Sequence, residues 1–358
     1  MRRGIANLPL HYGKAPPWLF KRMVELSKSI VELIVIEHGR RTFLERLSDP
    51  YWFQAFGCVL GFDWHSSGLT TTVCGALKES LKGLDRELGL YVAGGKGKSA
   101  LKTPEELERI GETVGINTET LKDISRLVAK VDNTLLQDGY QLYHHTIIFT
   151  EEGLWAVVQQ GMNTNNRYAR RYHWFGGGLK SFVEEPHSGI SAQKVHERIT
   201  LNMTAKESRD SRESITELLK NKDILLREIE SIETLNLPRR HDVRREDVDL
   251  KKLRETVKKV REEDIKEFED VLRQRGMGPK TIRALALVSE LIYGAKPSFK
   301  DPARYSFAHG GKDGYPFPVQ KELYDGTIDT LKRAIAKAKV GDREKVDAIK
   351  KLSKILND

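Results

Sequence analysis

Cysteine is nearly missing from this chain: Cys58 and Cys74 are the only two in 358 residues. That excludes a disulfide-stapled scaffold and a zinc centre built from cysteine clusters. Long apolar runs are missing as well. The longest, IVELIVI at 30–36, is broken by Glu32 and falls far short of the ~20 residues a membrane-spanning helix needs. The opening MRRGIANLPLHYG lacks the apolar core of a secretion signal, so a cytoplasmic location and no membrane contact are expected. No internal repeat is found.

Positive charge is in excess. Lysine and arginine number 60 against 51 acidic residues, and a net charge of +9 favours polyanionic partners without specifying a fold. A hydrophobic content of 39% is too high for a disordered chain, and the length suggests two domains.

After Pro16-Pro17, WLFKRMVELSKSIVELIVIEHG carries Leu19, Met23, Leu26, Ile30 and Leu33 at helical spacing, with Gly39 expected just past the helix end. Ser48 is the expected cap of a second helix, with Pro50 in its first turn, and LTTTVCGALKESLKGL reads as a third. Thr103-Pro104-Glu105-Glu106 reads as a capping box. Near residue 135 the pattern changes. YQLYHHTIIF, an EEG turn and LWAVVQQGM are rich in β-branched and aromatic residues and read as a hairpin. From 204 onward the chain is helical and highly charged: AKESRDSRESITELLKNKDILLREIE reads as a solvated connecting helix, and LNLPRRHDVRRE as a basic joint broken by proline. The expected fold is therefore α+β and mostly helical. An N-terminal α+β domain (1–203) holds a β-hairpin or small sheet, and a C-terminal all-α domain (204–358) follows.

RGMGPKTIRAL, residues 275–285, joins two helical patterns. Gly276 suits a helix end and Pro279 a first helical turn. Gly276-Met277-Gly278 resembles the helix-hairpin-helix DNA-binding motif, in which glycines let the backbone approach a duplex and free helix N–H groups bind phosphate. Arg275, Lys280 and Arg283 add a sequence-neutral, salt-dependent grip. An ordinary helix corner is the alternative. The spacing is also similar to that of helix-hairpin-helix glycosylases, where the lysine of G-x-G-x-K attacks the sugar with help from an aspartate some twenty residues on. Lys280 occupies that position, with Asp301 and Asp313 as candidate partners outside the usual V-D-x-H context. Such a lysine needs a lowered pKa. A phosphate contact is its simpler role.

Residues 130–190 concentrate groups able to do chemistry: Asp132, Gln137, Asp138, His144, His145, Gln159, Gln160, Arg170, Arg171, His173, Glu185 and His187. Alternation along a strand means that His144 and His145 cannot both point inward. Asp138 on one strand with Gln160 on the next resembles nucleases that hold a divalent ion, Mg or Mn, although Met162 stands where those enzymes have lysine. ARRYHWF offers Arg170 and Arg171 for phosphates and three rings for base stacking. Glu185 lies two residues from His187, a spacing suited to acid–base or metal chemistry, and Asp63 and His65 occur in FDWHSS. Each of these also fits a satisfied core polar group. GLYVAGGKGKS has Val92 where a phosphate-binding loop requires glycine, and its helix is expected only near Pro104.

LPLHYGKAPPWLFKRMVELS, DPYWFQAFGCVLGFDWHSSGLTTTVCGALKE, LQDGYQLYHH, WAVVQQGMN and YSFAHGGKDGYPFPV together resemble an archaeal and bacterial family known only as domain-of-unknown-function family 763. That resemblance implies no activity. Taken together, the residues lead to the expectation of a DNA-binding protein, a nuclease-like processing or repair enzyme that docks DNA through the hairpin. The catalytic candidates are Asp138, His144, Gln160, His173, His187 and Lys280. The nucleic-acid candidates are Arg170, Arg171, Arg275, Gly276, Gly278, Lys280 and Arg283. Glycosylase or lyase chemistry at Lys280, and a non-catalytic adaptor, are the alternatives. RNA is not separated from DNA, and the oligomeric state stays open.

Overall fold

A computed structural model describes residues 15, 17–61, 68–163, 168–192, 200–233, 249–303, 329–330, 332–334 and 336–337. Asp63, His65, Asp313 and the basic joint at 235–246 lie outside the described residues. The N-terminal helices are α1 (Pro17–Ser48), α2 (Pro50–Val59) and α3 (Gly68–Leu81), followed by the single turn α4 (Asp85–Leu88). Gly39 does not end the first helix. It kinks α1 at φ 82° and ψ 163°, a conformation open to glycine, and the chain resumes its helix to Ser48. The cap of α2 is Asp49 rather than Ser48: its carboxylate accepts from the N–H of Tyr51 and Trp52, whereas the Ser48 hydroxyl donates to the Glu45 carbonyl at 2.7 Å.

Strand β1 (Leu90–Lys96) then leads through the short α5 (Lys98–Leu101) to α6 (Thr103–Val114) and α7 (Glu119–Thr134). GLYVAGGK is thus an edge strand rather than a loop. The capping box at 103 does not form. Thr103 donates to the Ala100 carbonyl at 2.8 Å, and Glu106 is drawn away to Lys78 and to the Gly94 N–H. The expected hairpin is present as β3 (Gln141–Thr150) and β4 (Trp155–Asn163). It is the middle of a five-stranded antiparallel sheet in the order β1-β3-β4-β5-β6, with β5 at Tyr168–Phe175 and β6 at Gly189–Ser191. A second, two-stranded sheet pairs β2 (Leu136–Gln137) with β7 (Leu201–Asn202).

Helices cover both faces of the large sheet, and strand alternation sorts its side chains between two cores. Tyr91, Ala93, Ile147, Phe149, Trp155, Val157 and Trp174 pack against α6, α7 and the C-terminal helices. Leu90, Val92, Ile148, Ala156 and Val158 pack against α1–α3. The C-terminal helices are α8 (Arg209–Lys220), α9 (Lys222–Glu233), α10 (Leu250–Lys259), α11 (Phe268–Arg273) and α12 (Pro279–Tyr293). The connecting helix expected after 204 is neither single nor solvated. It breaks at Asn221, and Ile215, Leu218 and Leu219 of α8 are buried in the same core as Val131 and Val157. After α12 the chain returns to the N-terminal half. The Asn202 N–H donates to the Ser298 carbonyl at 2.8 Å, and Asn202 Nδ2 donates to Lys300 at 3.1 Å. One hydrophobic cluster therefore spans both sides of residue 203.

Candidate nucleic-acid interface and buried polar centre

The alternation that is apolar over Ile147–Phe149 becomes polar at His144 and His145, just after a bulge between Leu142 and His144. Two cross-strand rows result. One runs Lys96, His144, Gln160, Arg171, Ser191, and its neighbour runs Gly95, His145, Gln159, Tyr172, Ile190. His144 and His145 do point to opposite faces, as alternation requires. Both are nonetheless buried, at 1% and 6% exposure, because helices cover both faces of the sheet at this level.

On the α7 face the partners come from a helical stripe. Leu121, Ser125, Val128 and Asp132 are all buried at spacings of three and four, so Ser125 and Asp132 reach the sheet side by side with apolar neighbours. The Ser125 hydroxyl meets His145 Nε2 at 2.8 Å, and His145 Nδ1 meets Gln159 Oε1 at 2.8 Å. Gln159 Nε2 donates to Asp132 at 2.5 Å, which fixes its amide orientation. Its oxygen can then only accept, so His145 carries its proton on Nδ1 and accepts from Ser125. Asp132 also takes the Trp174 indole N–H at 3.0 Å and His187 Nε2 at 2.5 Å. His187 stacks edge-on to Trp174 at 4.7 Å, and its side chain is 7% exposed. Burial pushes His145 below its usual range.

Near this chain sits a buried ion cluster. Arg170 donates to Asp138 at 2.8 Å and bidentately to Asp301 at 3.0 and 2.6 Å, with the Tyr140 ring 4.8 Å from its guanidinium. Tyr172 donates its hydroxyl to Asp138 at 2.7 Å. Burial raises Asp138 above the ordinary carboxylate range, with Arg170 opposing it. Asp301, a candidate partner for Lys280, is thus committed to Arg170.

The opposite face holds His144, Gln160, Arg171 and His173. Thr70 of α3 donates to Gln160 Oε1, and Gln160 Nε2 donates to the Tyr143 hydroxyl. Arg171 donates to His173 Nε2 at 2.7 Å, to Gln54 at 3.1 Å and to the Pro50 carbonyl at 3.3 Å, over the Phe53 ring. His173 Nδ1 donates to the Leu47 carbonyl at 3.0 Å, so both its nitrogens are used in the neutral form. Burial, helped by Arg171, pushes it well below the ordinary histidine range. His144 differs. Its Nε2 meets the Thr146 hydroxyl at 3.0 Å, but its buried Nδ1 has no partner among the described residues, and neither has the Ser191 hydroxyl in the same row. Burial pushes His144 down to about 3, so it is neutral near pH 7 with one nitrogen open.

The structure thus divides the sequence candidates. Asp138 and Gln160, read together as a metal pair, bond to residues on opposite faces of the sheet. Among the described residues no group of three or more His, Cys, Asp or Glu is placed to hold a metal ion. Arg170 and Arg171, read as phosphate ligands, are fully buried.

The hairpin presents the reverse situation. A reciprocal capping box at Glu267 and Asp270 starts α11. Gly276 follows at φ 91°, and a side chain there would meet Thr256 of α10 at 2.8 Å. Met277 plugs the turn at 1% exposure, and Thr281 donates to the Gly276 carbonyl at 2.8 Å. Gly278 caps α12 without a side-chain hydrogen bond, and Pro279 occupies its first turn. The Gly278 carbonyl accepts from Ile282, so the N–H groups of Lys280 and Thr281 precede the first helical bond. Arg275, Gly276 and Lys280 are exposed. Arg283 is half-buried and donates to Gln137 at 2.8 Å, and Gln137 donates on to the Pro279 carbonyl at 2.8 Å. Gln137 therefore ties the hairpin to β2, immediately before Asp138. Ser125, Thr70 and Thr256 escaped the sequence reading because their partners lie 20 or more residues away. For Ser125, only its place on an otherwise apolar stripe was a signal.

No curated protein and no solved structure matches the chain. A family model matches residues 4–319, and the chain belongs to the family described as Protein of unknown function (DUF763).

Proposed function

We propose that this chain is a DNA-binding protein of the processing or repair kind, which grips the phosphate backbone through the α11–α12 turn. The observation that carries the reading is the turn itself. A left-handed Gly276, a buried Met277 and a Gly278 cap with no side chain leave the start of α12 beside exposed Arg275 and Lys280. Free N–H groups at a helix start favour an anion, and the missing side chain at Gly278, where a Cβ would face open space, allows close approach to a sugar–phosphate chain. Such contacts read phosphate rather than base, so sequence-neutral, salt-sensitive binding follows.

Any chemistry is assigned to the buried polar centre, where His144 retains an open nitrogen and stays neutral near pH 7. Lyase chemistry at Lys280 draws no support from Asp301, which is held by Arg170, so Lys280 is read as a phosphate ligand.

The test uses labelled duplex, single-stranded and flap DNA, with and without Mg²⁺ or Mn²⁺, read by gel shift and by denaturing gel. Arg275→Ala/Lys280→Ala should weaken binding roughly tenfold and lower the salt slope by about 1.8. Cleavage that survives in that variant at saturating protein but vanishes in His144→Ala would locate the chemistry in the sheet. Binding unaffected by the double substitution would refute the hairpin reading.

A further inference from the structure

Helix α10 lies directly against the hairpin turn. Thr256 stands where a side chain at Gly276 would collide, and the Arg261 N–H just beyond α10 reaches Gln274 at 3.5 Å, just after α11. Leu250, Leu253, Thr256 and Val257 form the buried face of α10. On a helix, the residues four before and three after Thr256 lie along its own side. These are Lys252 and Lys259, both exposed, at the margin of the face that meets Gly276.

What sets these two lysines apart is their position beside the turn, since Lys251 and Lys258 of α10 are likewise exposed and without an ion pair among the described residues. Elsewhere Lys82 pairs with Glu79, Lys220 with Glu217, Arg273 with Asp123 and, on the far side of α10, Arg254 with Glu230. Lys252, Lys259, Arg275 and Lys280 make no ion pair among the described residues. Nearby acids are turned elsewhere. Glu262 accepts from the Lys222 N–H at 2.9 Å, Glu269 accepts from the Phe182 N–H at 3.2 Å, and Asp270 caps the start of α11. Glu255 is the one acid that shares the exposed side of α10 with the two lysines.

We infer that α10 is a second strip of the nucleic-acid interface, with Lys252 and Lys259 gripping backbone phosphates of duplex DNA beside the phosphate held at the hairpin. This rests on the hairpin reading. Seven residues of helix separate the two ammonium groups by about 10 Å along the axis. The hairpin supplies fixed N–H groups and two cations at one point, while α10 supplies mobile charges along a line. The grip therefore extends over several phosphates without reading bases.

The experiment is fluorescence anisotropy of a fluorescein-labelled mixed-sequence duplex with the full chain over a salt series. Lys252→Ala/Lys259→Ala should lower the slope of log K against log salt by about 1.8 and weaken binding roughly tenfold at moderate salt. Its urea midpoint should be unchanged, since both side chains are exposed. Glu255→Lys should tighten binding. Lys82→Ala/Lys220→Ala, which removes lysines already paired elsewhere, should leave the slope alone. A wild-type slope and affinity in Lys252→Ala/Lys259→Ala, alongside weak binding by Arg275→Ala/Lys280→Ala, would overturn the α10 assignment and leave the hairpin standing. Failure of the wild-type chain to bind the duplex would overturn both.

Discussion

Arg170 at the centre of the sheet and Arg275 at the hairpin turn carry the same guanidinium in opposite surroundings. Arg170 is fully buried, with Asp138 and Asp301 on its nitrogens and Tyr140 across its face. Arg275 is exposed, beside a glycine whose backbone lies open. A buried charge persists only where partners replace the water it lost. An exposed one keeps its water, and its counterion is exchangeable for a phosphate. The sheet thus uses cations to hold elements together, and the hairpin leaves them unspent.

Breaking the buried side of this comparison should have the largest effect. Arg170→Ala strands two carboxylates in the core and should cost about 3–5 kcal/mol, read as a lowered urea midpoint. A change below about 1 kcal/mol would mean that water reaches the cluster.

Acid should act next, through the buried histidines. His144 is held at about 3, against 6.5 when exposed, so the unfolded chain takes up its proton first as pH falls. Its contribution is fully present above pH 6.5 and is lost progressively down to about 3. His145 and His173 are depressed as well and act in the same direction. Urea midpoints taken between pH 7 and pH 4 should fall less steeply for His144→Phe than for the wild type. An identical acid limb would show that the His144 ring is not shielded from water.

The hairpin side should be sharpened by the smallest of these changes in stability. Gly276→Val forces a β-branched residue to φ 91° against Thr256 and should cost about 1–3 kcal/mol. Under the hairpin reading it should also weaken duplex binding beyond what partial unfolding explains. Equal affinity for the folded fraction would assign Gly276 to helix packing alone.

Local chemistry made much of this legible. The β3–β4 hairpin followed from alternation of β-branched and aromatic residues, and the start of α12 from Pro279. The Ser48 cap and the Thr103 capping box failed because a neighbouring carboxylate competed for the same amides and a distant lysine took Glu106. The cluster at 130–190 was visible as a density of polar residues, but its division between two faces was not. Period-two alternation says that His144 and His145 part company. It does not say that both sides are roofed by helices.

The sequence by itself determined the α+β class, the basic excess, the hairpin with its two glycines and the polar content of the central strands, because each depends on residues a few positions apart. The tertiary structure alone decided which cations were spent. Asp301 reaches Arg170 across 131 residues, Thr256 meets Gly276 through helix packing, and Gln137 ties β2 to α12 across 142. Whether a charge is buried and paired or exposed and open depends on those distant contacts, and the desolvation cost that decides it exists only once the core has closed.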